Sequence, residues 1–108
     1  MKRRQELPSN GRERKWPQKV VMVTGASQGI GKAIAMQVAA FPSTEVVLVC
    51  RNPVRGEAVA AEITRETGNP AVCCEVCDVS SLASVRGLKA RFQGPLHVLI
   101  NNAAVCPR

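Results

Sequence analysis

Thr24-Gly25-Ala26-Ser27-Gln28-Gly29-Ile30-Gly31 (T-G-A-S-Q-G-I-G) separates an apolar, β-branched run from the start of a helical pattern. The run before it, Lys19 to Thr24 (K-V-V-M-V-T), has the length and branching of a buried strand. After it, apolar side chains recur at Ile30, Ile34, Val38 and Phe41, a helical stripe that Pro42 ends. A glycine cluster alone can be no more than a tight turn. Between a strand and a helix it does more, because its backbone can approach a bound group closely. The free N–H groups and the dipole at the helix N-terminus then favour an anion.

Outward from this turn, strands and helices alternate. Glu45 to Cys50 (E-V-V-L-V-C) reads as a second strand. Asn52-Pro53 supplies an N-cap and a first-turn proline for a second helix, with Val54, Ala58, Ala61 and Ile63 expected inward and Gly68 as its stop. Pro70 to Val79 predicts a third strand. Ser80 or Ser81 caps a third helix carrying Leu82, Val85, Leu88 and Phe92 at helical spacing before Gly94-Pro95. Leu96 to Ile100 (L-H-V-L-I) predicts a fourth strand, followed by Asn101-Asn102. This order implies a parallel α/β sheet with right-handed crossovers. The doubly wound arrangement would put the strands in the order 3-2-1-4, with a ligand crevice where strands 1 and 4 part.

Composition sets the frame. The 108 residues suffice for one domain, and 45% apolar with 21% charged residues is ordinary for a soluble globular chain. The net charge of +7 is concentrated at the start. Lys2, Arg3, Arg4, Arg12, Arg14 and Lys15 stand against Glu6 and Glu13, a net +4 within residues 1–15. With Pro8, Ser9, Asn10 and Gly11 and no apolar periodicity, residues 1–18 read as a basic, disordered leader ahead of a partial domain at 19–108. Contact of this leader with anionic lipid or nucleic acid is the competing reading, but no aromatics are interleaved with the charges, so no nucleic-acid partner is expected. No run reaches the length of a membrane span.

Cys50, Cys73, Cys74, Cys77 and Cys106 include a C-x-x-C spacing at Cys74 and Cys77. In a strand, residues three apart point to opposite faces, so these two thiols cannot chelate one ion, and no metal site is expected. Buried, reduced thiols fit better, and they suit a cytoplasmic compartment. His97 stands alone inside an apolar run and reads as a core or sheet residue rather than a catalyst.

With these motifs in place, the chain resembles the short-chain dehydrogenase/reductase family over about residues 19–105. The G-x-x-x-G-x-G spacing of Gly25, Gly29 and Gly31 is similar to that family's fingerprint. So are Asp78-Val79 closing the third strand and Asn101-Asn102-Ala103-Ala104 after the fourth, where the family usually has N-N-A-G. Cys50-Arg51-Asn52, Arg55-Gly56-Glu57-Ala58 and Asp78-Val79-Ser80-Ser81-Leu82 are similar to its retinol-dehydrogenase-like branch, although Ser27-Gln28 replaces the Asn-Ser common there.

The resemblance implies a Rossmann-type sheet cut off after its fourth strand and a set of cofactor contacts. Gly25, Ser27, Gln28, Gly29, Ile30 and Gly31 would surround the pyrophosphate and neighbouring ribose. Arg51 and Asn52 would meet the adenosine ribose, Asp78 and Val79 the adenine, and Asn102 and Ala103 the adjoining ribose. An acid after strand 2 would accept hydrogen bonds from a ribose 2′-hydroxyl and repel a 2′-phosphate. Arg51 stands there, with no acid within Val49 to Pro53, so NADP(H) is expected over NAD.

The family reaction is hydride transfer between nicotinamide and an alcohol or carbonyl, with retinoids and steroids among its substrates. Its catalytic tyrosine and lysine belong beyond the N-N-A-G segment. The chain contains no tyrosine. The expectation is therefore the dinucleotide-binding half of an NADP(H)-dependent oxidoreductase, inactive as this stretch alone. The alternative is a non-catalytic nucleotide-binding or interaction module that pairs with a full-length relative. The unpaired edge of strand 4 predicts a chain that is marginally stable, self-associating or dependent on a partner.

Overall fold

The computed structural model describes residues 19–26, 29–92 and 94–102. The expected leader, Ser27, Gln28, Ala103 and Cys106 lie outside the described residues. Seven elements follow in the order β1 (Lys19–Thr24), α1 (Gly29–Ala39), β2 (Thr44–Cys50), α2 (Pro53–Thr67), β3 (Val72–Val76), α3 (Leu82–Arg91) and β4 (Val98–Ile100). The strands form one parallel sheet in the order β3-β2-β1-β4. Val21 of β1 faces Val46 of β2 on one side and Val98 of β4 on the other.

Hydrophobic burial divides the sheet into two faces. On one, Val21, Val23, Val46, Leu48 and Val72 pack against Ala35 and Ala39 of α1 and Val59 and Ile63 of α2. On the other, Val20, Met22, Val47, Val49, Cys73 and Cys77 meet Leu88 of α3, with Phe92 beside them. All seven residues of β2 are buried, as a strand covered on both faces requires.

Local chemistry sets the helix ends. The Asn52 side chain accepts from the N–H groups of Val54 and Arg55, and Pro53 occupies the first turn. Gly68 ends α2 in the left-handed region, at φ 76°, with its N–H donating to Thr64 O. Ser81, not Ser80, caps α3 by accepting from Ser84 N.

Several sequence expectations need correction. The inward side of α1 is Gly31, Ala35 and Ala39, while Ile30 and Phe41 are 72% and 66% exposed. At Gly31 the helix touches the exit of β1, where a Cβ would overlap Gly25 O, and of the larger expected residues Val38 packs against the core while only partly buried. In α2 the buried residues are Gly56, Val59 and Ile63; Val54, Ala58 and Ala61 are exposed. Leu88 is the buried residue of α3, and Leu82 is 64% exposed.

The strands are also trimmed at their ends. β3 runs from Val72 to Val76 rather than from Pro70 to Val79, because side chains take over its backbone groups. Asn69 Oδ1 accepts from Ala71 N, and Asp78 N donates to Ser84 Oγ. β4 begins at Val98 because His97 uses its ring as well as its backbone on β1. Its N–H donates to Val20 O at 3.0 Å, and its Nδ1 accepts from Val20 N at 3.0 Å. His97 thus lies just before β4 and bonds to β1 from there; it is exposed and not part of the core.

Candidate functional site

The C-terminal ends of β1 and β4 lie side by side. From β1 the chain passes through Gly25 into α1; from β4 it continues to Asn101 and Asn102. Thr24 joins the two exits. Its Oγ1 donates to Asn101 Oδ1 at 3.2 Å and accepts from Asn102 N at 2.9 Å. The Asn102 amide Nδ2 donates to Gly25 O at 3.3 Å, and Gly25 N donates to Val49 O at 3.0 Å. The turn is therefore fixed from β2, β1 and the β4 exit together.

The glycines of the turn have separate reasons to lack a side chain. Gly25 and Gly29 have φ of 63° and 64°, which a Cβ makes costly. A Cβ built on Gly29 meets nothing within 4 Å, so the turn leaves open space at the start of α1. A Cβ on Gly31 would overlap Gly25 O and lie 2.7 Å from Asn102 Nδ2. Gly31 thus allows the helix to touch the strand exit, while Gly29 faces a space an incoming group could use. The first turn of α1 contains no acidic residue, so nothing there offsets the positive end of the helix dipole.

The ends of β2 and β3 supply the next residues. Cys50 O accepts from Cys77 N at 2.9 Å, which carries the pairing of the two strands just past β3, so that Arg51 and Asp78 follow neighbouring strand ends. Asp78 Oδ1 accepts from Ser80 Oγ at 2.6 Å and from Ser80 N at 3.0 Å. These bonds hold the Asp78 pKa below its ordinary value, and the Arg51 charge adds to the effect. Asp78 N in turn donates to Ser84 Oγ at 2.8 Å, which anchors the turn to α3. Arg51 and Asn52 are exposed, and Val79 is 40% exposed.

The structure therefore brings Gly25, Gly29, Ile30, Gly31, Arg51, Asn52, Asp78, Val79 and Asn102 to the same end of the sheet. Ser27, Gln28 and Ala103 lie outside the described residues. Sequence reasoning gave no role to Thr24, whose hydroxyl has partners on both asparagines, or to Ser84 behind Asp78. A strand that ends on a hydroxyl residue directly before a glycine turn was the available signal for Thr24.

A cavity of about 580 Å³ lies elsewhere, lined by Val38, Phe41, Pro42, Ser43, Val98 and Ile100 among others. It opens beside the end of α1 and the starts of the strands, far from the glycine turn, and carries none of the residues above. No group of three or more histidine, cysteine or acidic side chains suited to a metal occurs among the described residues. Nor is any described helix long and apolar enough to cross a membrane.

Comparison with known proteins gives consistent results. The family model described as short chain dehydrogenase matches residues 19–108. Retinol dehydrogenase 11 of Homo sapiens is 46% identical over 96 residues, and retinol dehydrogenase 12 of Mus musculus is 42% identical over 96. Each alignment covers 84% of this chain and 30% of the relative, so the chain spans under a third of the length of these relatives. A short-chain dehydrogenase from Sphingobium yanoikuyae, solved in complex with NADPH, superposes with a TM-score of 0.69 at 36% identity, covering 79% of this chain and 34% of that one.

Proposed function

The chain belongs to the short chain dehydrogenase family, and on that premise we propose that it forms the dinucleotide-binding part of an NADP(H)-dependent oxidoreductase acting on alcohols or carbonyls. The observation that carries this reading is the turn Gly25–Gly31, open above Gly29 and tied through Asn102 to the end of β4.

The residues present fit a dinucleotide. A diphosphate needs backbone N–H donors, a favourable dipole and close approach, and the turn combines a helix N-terminus without acids with space at Gly29. Gly25, Ser27, Gln28, Gly29, Ile30 and Gly31 would hold the pyrophosphate and its ribose, and Asn102 and Ala103 would flank the adjoining ribose. Asp78 and Val79 would border the adenine. Arg51 and Asn52 would face the adenosine ribose, where the Arg51 guanidinium favours a 2′-phosphate. When bound, the nicotinamide supplies or accepts a hydride. The work of these residues is to orient it. Asn102 fixes the turn, Ser80 holds the Asp78 carboxylate ionised and pointing one way, and Asn52 caps α2 so that Arg51 leaves β2 at a set angle.

A retinoid or a related apolar alcohol is the proposed substrate class, supported by similarity to two retinol dehydrogenases. The test of the binding site is an NADPH titration of the protein, any native sequence beyond Arg108 included, followed by nicotinamide fluorescence. Saturable binding should be lost in Gly29→Val, whose side chain fills the space left for the pyrophosphate, while circular dichroism shows the sheet retained. Equal affinity of a folded Gly29→Val protein would exclude this site.

A further inference from the structure

Beneath Gly56, where α2 crosses the ends of β2 and β3, two thiols from neighbouring strands lie side by side. Cys50 Sγ and Cys74 Sγ are 3.0 Å apart, both buried, and share a hydrogen bond. The strand register pairs Cys50 with Val76 and Leu48 with Cys74, so the thiols meet on a diagonal across the ladder. A Cβ on Gly56 would overlap both sulfurs. The helix passes over this pair only because position 56 has no side chain, and the sulfurs are pressed together under it. Nothing in the proposed dinucleotide site uses them.

We propose that Cys50 and Cys74 form an oxidation-sensitive pair that a peroxide converts into a reversible disulfide. Forming the bond requires the sulfurs to close by about 1 Å, to the usual 2.05 Å. Cys50 is the more accessible of the two, 6% exposed against 2% for Cys74, and takes the part of the attacking thiolate; the shared hydrogen bond lowers Cys50 from its ordinary value, while the same bond, burial and the neighbouring Cys50 charge push Cys74 up. Cys50 sulfur attacks one peroxide oxygen, the O–O bond breaks, and protonation of the departing oxygen gives water and a Cys50 sulfenic acid. Cys74 sulfur then attacks the Cys50 sulfur and expels hydroxide, which leaves as water with the Cys74 proton. Two thiols are oxidised by two electrons in all, and one hydrogen peroxide becomes two waters.

The bond would lie one residue before Arg51. Cys50 Sγ also donates to Asn52 O, a bond the disulfide removes, so the link would act on the turn that carries Arg51 and Asn52. This regulatory consequence rests on the dinucleotide reading; the link itself does not.

The test treats reduced protein with stoichiometric hydrogen peroxide, alkylates the remaining thiols and digests with trypsin without reduction. Cleavage after Arg51, Arg65 and Arg86 puts Cys50 and Cys74 in different peptides, and fragmentation between Cys73 and Cys74 locates the bond. The expected product is a Cys50–Cys74 link, lighter by two hydrogens and opened by dithiothreitol. In Cys74→Ser, whose hydroxyl keeps a hydrogen-bond donor beside Cys50 but cannot form the link, dimedone should trap the Cys50 sulfenic acid. A bond that maps to Cys73 or Cys77, or both thiols still alkylated at doses that oxidise methionine, overturns the proposal, and the wild-type map decides even if the variant fails to fold. NADPH titration of the linked and reduced forms reads the consequence separately. A several-fold change supports regulation, and equal affinities overturn it without touching the link. A reduced protein that binds no NADPH counts against the dinucleotide reading alone.

Discussion

Replacing Gly31 by alanine adds one methyl group at the point where α1 meets the exit of β1. The new Cβ would overlap Gly25 O, and it would lie 2.9 Å from Gly25 C and 2.7 Å from Asn102 Nδ2. Two of these atoms are backbone and cannot swing away, so either the helix or the turn must move. Overpacking of this kind costs about 1–3 kcal/mol. Displacing Asn102 also breaks its bond to Gly25 O, which contributes about 1 kcal/mol. A total loss of about 2–4 kcal/mol should lower the melting temperature by about 10–25 °C in a domain of this size. Gly29→Ala is the internal control: its Cβ meets nothing, and only its φ of 64° opposes it, at about 1 kcal/mol. Urea unfolding followed by circular dichroism measures both. Gly31→Ala should be the more damaging by at least about 1 kcal/mol with an unchanged denaturant slope. Equal stabilities, or the reverse order, would refute the steric argument.

Other consequences are equally specific. Asn69 is buried, donates from Nδ2 to Ala39 O and Thr44 O, and accepts at Oδ1 from Ala71 N. Asn69→Ala should cost about 3 kcal/mol or more in chemical denaturation, since it leaves buried backbone groups unpaired. The Asp78 pKa is lowered chiefly by Ser80, so Ser80→Ala should move its NMR titration upward toward the ordinary aspartate value. Because the folded pKa lies below the unfolded one, the Asp78 contribution is fully present above the unfolded value. It is lost as pH falls through the folded value, and Asp78→Asn should flatten this acid-side loss in the denaturation midpoint.

The sequence carried most of the fold because its punctuation is local. Asn52-Pro53 and Gly68 bracket α2 through hydrogen bonds within a turn of the helix, and the β-branched runs admit little but strands. The inward helix faces were harder to read. Periodicity favours large apolar residues, yet α1 packs through Gly31, Ala35 and Ala39 because the glycine turn brings it close to β1, and Ile30 is left exposed. That choice depends on interaxial distance, which no local pattern encodes.

Side chains that act across the chain were hidden for a related reason. Thr24 meets Asn101 and Asn102 across 77 and 78 residues, and Asn69 bonds to Ala39 and Thr44 across 30 and 25. The Cys50–Cys74 contact arises from strand register and from Gly56, while the conspicuous Cys74-x-x-Cys77 spacing divides its thiols. Cys77 packs with Val20 and Leu88, whereas Cys74 meets Cys50 on the side of α2.

The preference for a 2′-phosphate at the end of β2 is best tested by titrating the protein, any native sequence beyond Arg108 included, with NADPH and NADH, before and after Arg51→Asp. A charge-assisted hydrogen bond from Arg51 is worth roughly 1.5–3 kcal/mol, or about 10- to 100-fold in affinity. NADPH should therefore bind more tightly by about that factor, and Arg51→Asp should reverse the order by removing a cation and adding an anion. Equal affinities for the two dinucleotides, unmoved by the substitution, would contradict it.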